Sequence, residues 1–256
     1  QQNQQQNQQQ TQRMERTFPE PLGVIPEAVD LRESACAPYM TPPNQFTGGT
    51  CTSISVLGCW SCLLKRTSLL EESLVDTEFT PSYLYNYYWA RYLEKSALNQ
   101  DTGASVQAAL NALETFGFCD ESSWPYDLTN LSTEPPKNIV QFSQQQFRVL
   151  ETCMLKKTLR NLQLCLVYGF PISFSYNVSK YLDEWFHSEQ PQKATNFIAD
   201  FGKYYDIALA HTSLIVGYNI PRNLFLIRNS WGNEWGINGH FYMTFRDVME
   251  RGRDFG

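Results

Sequence analysis

From Cys51 to Leu64 the chain reads CTSISVLGCWSCLL, a stretch without a single charged side chain. It is longer than an ordinary strand of about five or six residues, and it lacks the polar face of a surface helix. The pattern therefore predicts a helix buried on all sides. Two further helices follow in the same half, an aromatic-rich one between Pro81 and Lys95 and an amphipathic one from about Ser105 to Phe116. A Pro-marked break at Ser132–Pro136 separates this part from the rest. Beyond it, apolar and β-branched runs at Phe147–Leu150, Pro171–Tyr176, Ser213–Tyr218, Leu224–Ile227 and around Phe241 read as strands, with one helix near Leu155–Tyr168. The expectation is an α+β chain without internal repeats, mainly helical over 15–136 and β-rich over 137–256. A cleft between two such halves is a common place for an extended ligand.

The first twelve residues, QQNQQQNQQQTQ, bury too little apolar surface to offset the entropy of ordering, so residues 1–14 are read as a disordered Gln/Asn-rich tail. A hydrophobic content of 42% and an aromatic content of 14% fit a globular body. The net charge of -6 argues against nucleic acid as a partner, because a phosphate-binding face needs clustered Lys and Arg. No apolar run reaches the roughly 18 residues of a membrane span, and no charged-then-apolar leader opens the chain. The expectation is a soluble domain.

The chemistry centres on Cys51. A nucleophilic thiol needs a neighbouring base, a positive helix terminus, or both. In the first turn of the buried helix, unpaired backbone N–H groups and the macrodipole favour a thiolate. Gly48, Gly49 and Thr50 allow a substrate backbone to approach, and the Cys51 N–H with the Gln45 side-chain amide would face a developing oxyanion. His211 follows the short run Ile207–Ala210 and leads into the Ser213–Tyr218 strand. Asn229 stands at the end of the next strand, where its oxygen would fix the His211 ring and tautomer.

Asn44-Gln45 before Cys51, the lone His211 and the block Asn229-Ser230-Trp231-Gly232-Asn233-Glu234-Trp235-Gly236 resemble the papain family of cysteine peptidases. Ile25-Pro26-Glu27-Ala28-Val29-Asp30 also resembles the start of a mature domain of that family, and the similarity spans roughly residues 17 to 246. The resemblance implies a papain-like two-lobe fold, with a helical lobe, a β-barrel-like lobe and the active cleft between them. It implies a cathepsin-like endopeptidase in which Cys51 is the nucleophile, His211 the base, Asn229 the orienter, Gln45 the oxyanion donor and Trp231 a shield over the His–Asn pair. Gly103 and Ala210 are the substrate-binding candidates, the substrate being an extended polypeptide. Relatives are commonly held inactive by an N-terminal prosegment, so such a segment or a protein inhibitor is expected outside this chain. The tail is too short and too polar to be one.

The departures are informative. The family usually has an aromatic residue directly after the nucleophile and a disulfide-forming cysteine three before it, where this chain has Thr52 and Gly48. His211 lies about 160 residues after Cys51, beyond the roughly 130–150 of plant and lysosomal members. Thr52, with Asp101–Val106 and Trp124-Pro125-Tyr126, looks more like the divergent members of prokaryotes and large DNA viruses. These departures motivate the alternative of a catalytically inactive, partner-binding module.

Cys59 and Cys62 have a metal or redox spacing, yet they sit one helical turn apart with no second pair, so core packing is expected. No metal or cofactor is called for. His187 and His240 read as surface or satisfied polar residues. The Tyr83–Trp89 aromatics read as lobe packing. Seven cysteines leave one unpaired, and the lack of the family's disulfide spacing favours reduced thiols and an intracellular setting. The alternative is an endo-lysosomal or secreted protein after processing.

Overall fold

The computed structural model describes residues 15–71, 79–147, 149–180, 183–184, 198 and 207–256. The glutamine-rich tail and His187 lie outside these. The uncharged stretch is helix α1, Cys51–Glu71, which continues past Leu64 once it leaves the interior. From Thr52 to Leu57 every residue is buried. One side of α1 packs on helices α2 (Tyr83–Leu93) and α3 (Val106–Phe116). Ser82 and Ser105 cap α2 and α3, their hydroxyls accepting from the N–H groups of Tyr85 and Ala108. The proline break leads into a further helix, α4 (Lys137–Gln146), which packs on α3. Phe147 ends α4 and Val149 is irregular, so no strand stands there among the described residues; Met154–Leu155 forms β3, paired with β1 (Glu15–Arg16).

The opposite side of α1 faces a curled antiparallel sheet. After β2 (Ala28–Asp30) and helix α5 (Leu159–Val167), the strands are β4 (Ile172–Ser179), β5 (Ile207–Asn219), β6 (Leu224–Arg228) and β7 (His240–Thr244). The long β5 is central: its first part pairs with β4, its end with β2, and β6 and β7 extend the sheet on the other edge. Two apolar clusters result. One joins α1, α2 and α3 through Val56, Leu57, Tyr85, Trp89 and Leu110, and the other fills the sheet side with Phe174, Tyr176, Ile215, Phe225 and Phe241. The Tyr85–Trp89 aromatics are lobe packing, with Trp89 stacked on Phe116 at 3.8 Å. The fold is α+β, and α1 lies between the two clusters with Cys51 at its N-terminal end.

Two expectations are corrected. Cys36 and Cys62 form a disulfide, so the thiols are not all reduced. A short turn at Ala37–Tyr39 folds back on α1 and brings Cys36 within 5.0 Å of Cys62, Cα to Cα, a partnership that sequence spacing does not announce. His240 is buried and only half satisfied: its Nδ1 bonds the Asn238 carbonyl at 2.7 Å, and its Nε2 has no partner among the described residues. Burial pulls its pKa down to about 4, so it folds as neutral imidazole.

Glu121 carries a similar tension near the helical side. One carboxylate oxygen accepts from the Tyr126 N–H at 2.5 Å, the other is buried without a partner among the described residues, and burial pushes the carboxyl up to about 7. A raised folded-state pKa means its contribution is complete below 4.5 and is lost as pH rises through about 7. Glu121→Gln should therefore match wild type at low pH and be more stable above neutrality by roughly 1–2 kcal/mol, discounted for partial exposure. Thermal melts from pH 4 to 8 check this; parallel Tm curves would show that the carboxyl titrates normally.

Candidate active site

Cys51 is the first residue of α1, and the helix's opening bond runs from the Ile54 N–H to the Thr50 carbonyl at 3.1 Å. The Cys51 N–H is thus one of the amides without an intrahelical acceptor. The thiol is partly buried. His211 is not at the start of its strand, as the short preceding run suggests, but within β5, opposite Tyr176 of β4. Cys51 and His211 lie within hydrogen-bonding reach where the start of α1 meets β5.

The imidazole is tightly placed. Its Nε2 lies 2.8 Å from Asn229 Oδ1, the Tyr176 ring packs edge-on at 5.7 Å, and Trp231 covers it at 5.0 Å between centroids. The Ser230 N–H also donates to Asn229 Oδ1, at 2.9 Å. Because an N–H can only donate, the Asn229 atom facing both groups is oxygen, so His211 Nε2 carries a hydrogen and Nδ1 is left for Cys51. Asn229 Nδ2 is buried with no partner among the described residues.

Charge follows from this geometry. Burial alone pushes the Cys51 thiol up, but the His211 hydrogen bond and charge, with the Thr212 N–H, hold it below the usual thiol value. For His211 burial pulls the pKa down, and the bond and charge of Cys51, with the bond to Asn229, more than offset it, leaving the pKa raised. Both directions favour a thiolate beside an imidazolium.

Gln45 sits on the turn that precedes the helix. Its Nε2 donates to the Gly48 carbonyl at 2.7 Å, its Oε1 accepts from the Ser230 hydroxyl at 2.5 Å, and its N–H donates to the Ser230 carbonyl at 2.8 Å. The Asn44–Gly48 turn is thereby fastened to the Asn229–Gly232 segment. Gly103 has φ +71 and open space where a side chain would stand. Its N–H is engaged by the Tyr87 hydroxyl at 2.9 Å. Ala210 is exposed on β5 beside His211.

Three contributors escaped the sequence reading. Thr52 is buried and ties the chain before α3 to β5, its hydroxyl donating to the Ala104 carbonyl at 2.8 Å and lying 2.9 Å from Thr212 Oγ1. Arg228 is a buried cation between β6 and α1 that donates to the carbonyls of Tyr39 at 2.5 Å and Ile54 at 3.2 Å. A side chain at position 58 would collide with it, a Cβ there lying 2.5 Å from Nη2, which accounts for Gly58. The signal for Arg228 was one charge closing the apolar run before Asn229. Asp101 is the third: its carboxylate accepts from the Gly49 N–H at 2.7 Å, two residues before the thiol, a contact across 52 positions that no local pattern signals. Among the described residues no group of His, Cys, Asp and Glu side chains is arranged to hold a metal ion, and no helix is long and apolar enough to cross a membrane.

The chain is 28% identical over 239 residues to an uncharacterized peptidase C1-like protein of Acanthamoeba polyphaga mimivirus, covering 89% of this chain and 72% of that protein. It is 27% identical over 245 residues to mouse procathepsin L, covering 88% of this chain but only 62% of the relative's length. In fold it is similar to xylellain, a cysteine protease from Xylella fastidiosa, with a TM-score of 0.75 and 23% identity over 93% of this chain and 89% of that one. The model of the papain family cysteine protease matches residues 25–251, which takes in the helix start, the β5 histidine and the strand-end asparagine alike. On that match the chain belongs to the papain family of cysteine proteases.

Proposed function

We propose that this protein is an endopeptidase that hydrolyses extended polypeptides through a Cys51–His211 thiolate–imidazolium pair. The observation that carries the reading is a thiol at a helix N-terminus, within reach of an imidazole whose other nitrogen is held 2.8 Å from Asn229 Oδ1. The thiolate attacks the scissile carbonyl carbon, and the carbonyl electron pair moves onto oxygen. The Cys51 N–H and the second hydrogen of the Gln45 amide receive that oxyanion. His211 then protonates the departing amine, the C–N bond breaks, and an acyl-enzyme remains. Neutral His211 next takes a proton from water, which attacks the thioester and restores the thiol pair.

Asn229 holds the imidazole in the required tautomer through both steps, and Trp231 keeps water from competing for that bond. Gly103 offers its open face and carbonyl to the substrate backbone, its N–H being already taken by Tyr87. Ala210 lines the opposite wall. A prosegment or protein inhibitor is the proposed regulator; the chain spans 62% of the length of procathepsin L.

The test is incubation with a peptide library and mass spectrometry of the products. Internal cleavages, with a peptidyl epoxide adduct on Cys51, support the reading; an adduct without any cleavage would make the groove a binding module. Gln45→Ala is expected to lower kcat by roughly 10²–10³ with the fold unchanged, since one oxyanion donor is lost. A change of less than about fivefold removes Gln45 from that role.

A further inference from the structure

Two segments flank the groove on the helical side, the Gly48–Thr50 turn leading into Cys51 and the loop that carries Gly103. They are joined by a single carboxylate. Asp101 Oδ2 accepts from the Gly49 N–H at 2.7 Å, the Tyr87 hydroxyl donates to Asp101 Oδ1, and the same hydroxyl accepts from the Gly103 N–H at 2.9 Å. The approach is close enough to dictate residue type, because a Cβ at position 49 would stand 2.6 Å from Asp101 Oδ1 and 3.1 Å from the Tyr87 oxygen.

The foundation beneath this link is rigid. Tyr87 is fully buried on α2, and the Arg91 guanidinium lies over its ring at 4.4 Å. Arg91 Nη1 also donates to the carbonyls of Leu98 at 3.3 Å and Gln100 at 2.6 Å, holding the chain that runs up to Asp101. Burial, and then the Asp101 bond, keep the Tyr87 phenol protonated, so it remains a donor to the carboxylate. From the far side Thr52 holds the Ala104 carbonyl at 2.8 Å. At Gly48, next to the clamped amide, the chain lacks the disulfide-forming cysteine usual at that position, so no covalent tie is made there.

We propose that Asp101 is a positioning residue which, through Tyr87, clamps the turn before the nucleophile to the Gly103 loop and sets where an extended substrate meets the thiol. This rests on the peptidase reading of the groove. Asp101 touches neither substrate nor sulfur. Its effect is to fix two backbone segments whose relative displacement of about 1 Å is costly to a reaction needing near-attack geometry.

The test compares two reagents on Cys51 of the full chain. A peptidyl epoxide must lie in the groove to react, whereas iodoacetamide needs only the thiolate. In Asp101→Asn and Tyr87→Phe the second-order rate with the peptidyl epoxide is expected to fall about tenfold. The iodoacetamide rate should stay within about twofold of wild type. The double variant should be no slower than Asp101→Asn alone, and Asp101→Glu should recover part of the loss. Equal losses with both reagents, wild-type epoxide rates, or additive losses would each overturn the clamp. If Tyr87→Phe does not fold, Asp101→Asn decides alone, since that side chain is exposed. Neither reagent requires turnover, so a protein that cleaved no peptide would refute the peptidase reading while leaving this comparison valid.

Discussion

Cys51→Ala is expected to abolish peptide hydrolysis, with a loss of at least about 10⁴ in kcat, while the protein remains folded. The size follows from the mechanism: without sulfur there is no acyl-enzyme, and only binding and the oxyanion donors remain. The fold should persist because the sulfur is only partly buried and the helix start is anchored elsewhere. Thr50 lies 2.6 Å from the Tyr126 hydroxyl, and Ser55 donates to the Ser213 carbonyl at 2.8 Å. Residual cleavage is read by mass spectrometry and folding by circular dichroism. Full activity in this variant would remove Cys51 from the chemistry.

His211→Ala should lower hydrolysis by a comparable factor of about 10⁴, because it removes the base, the acid for the leaving amine and the charge that holds the thiolate. It also has a signature that a structural defect lacks. The Cys51 thiol is kept low against its own burial chiefly by the bond and charge of His211. Removing the imidazole should therefore move thiol ionisation upward. In wild type the ion pair exists between the lowered pKa of Cys51 and the raised pKa of His211. Hydrolysis should thus fall on the acid side as the thiolate is protonated and on the alkaline side as His211 loses the proton it must donate.

Much of this site was legible before any coordinates. The absence of charge from Cys51 to Leu64 announced a buried helix and put the thiol at its start, and the strand-ending Asn229 came from the apolar run Leu224–Ile227. Both signals are local, one element long. What remained hidden depends on contacts between elements distant in sequence. Ile207–Ala210 looks too short to be a strand, yet pairing with β4 carries β5 through His211. The Cys36–Cys62 disulfide needs the turn at Ala37–Tyr39 folded back on α1. Thr52 appeared only as a departure from an aromatic position, whereas in space its hydroxyl spans from the Ala104 loop to Thr212, beside the catalytic candidate His211. Arg228 and Asp101 are of the same kind, polar side chains whose partners, mostly backbone groups, lie far off in sequence where no pattern marks them.

The most direct test is the rate of Cys51 alkylation by iodoacetamide as a function of pH, in wild type and in His211→Ala. The ion-pair account predicts an alkylation wave below the ordinary thiol position in wild type and a shift of that wave to higher pH in the variant. A single wave at the ordinary thiol position, unchanged by the loss of His211, would contradict it.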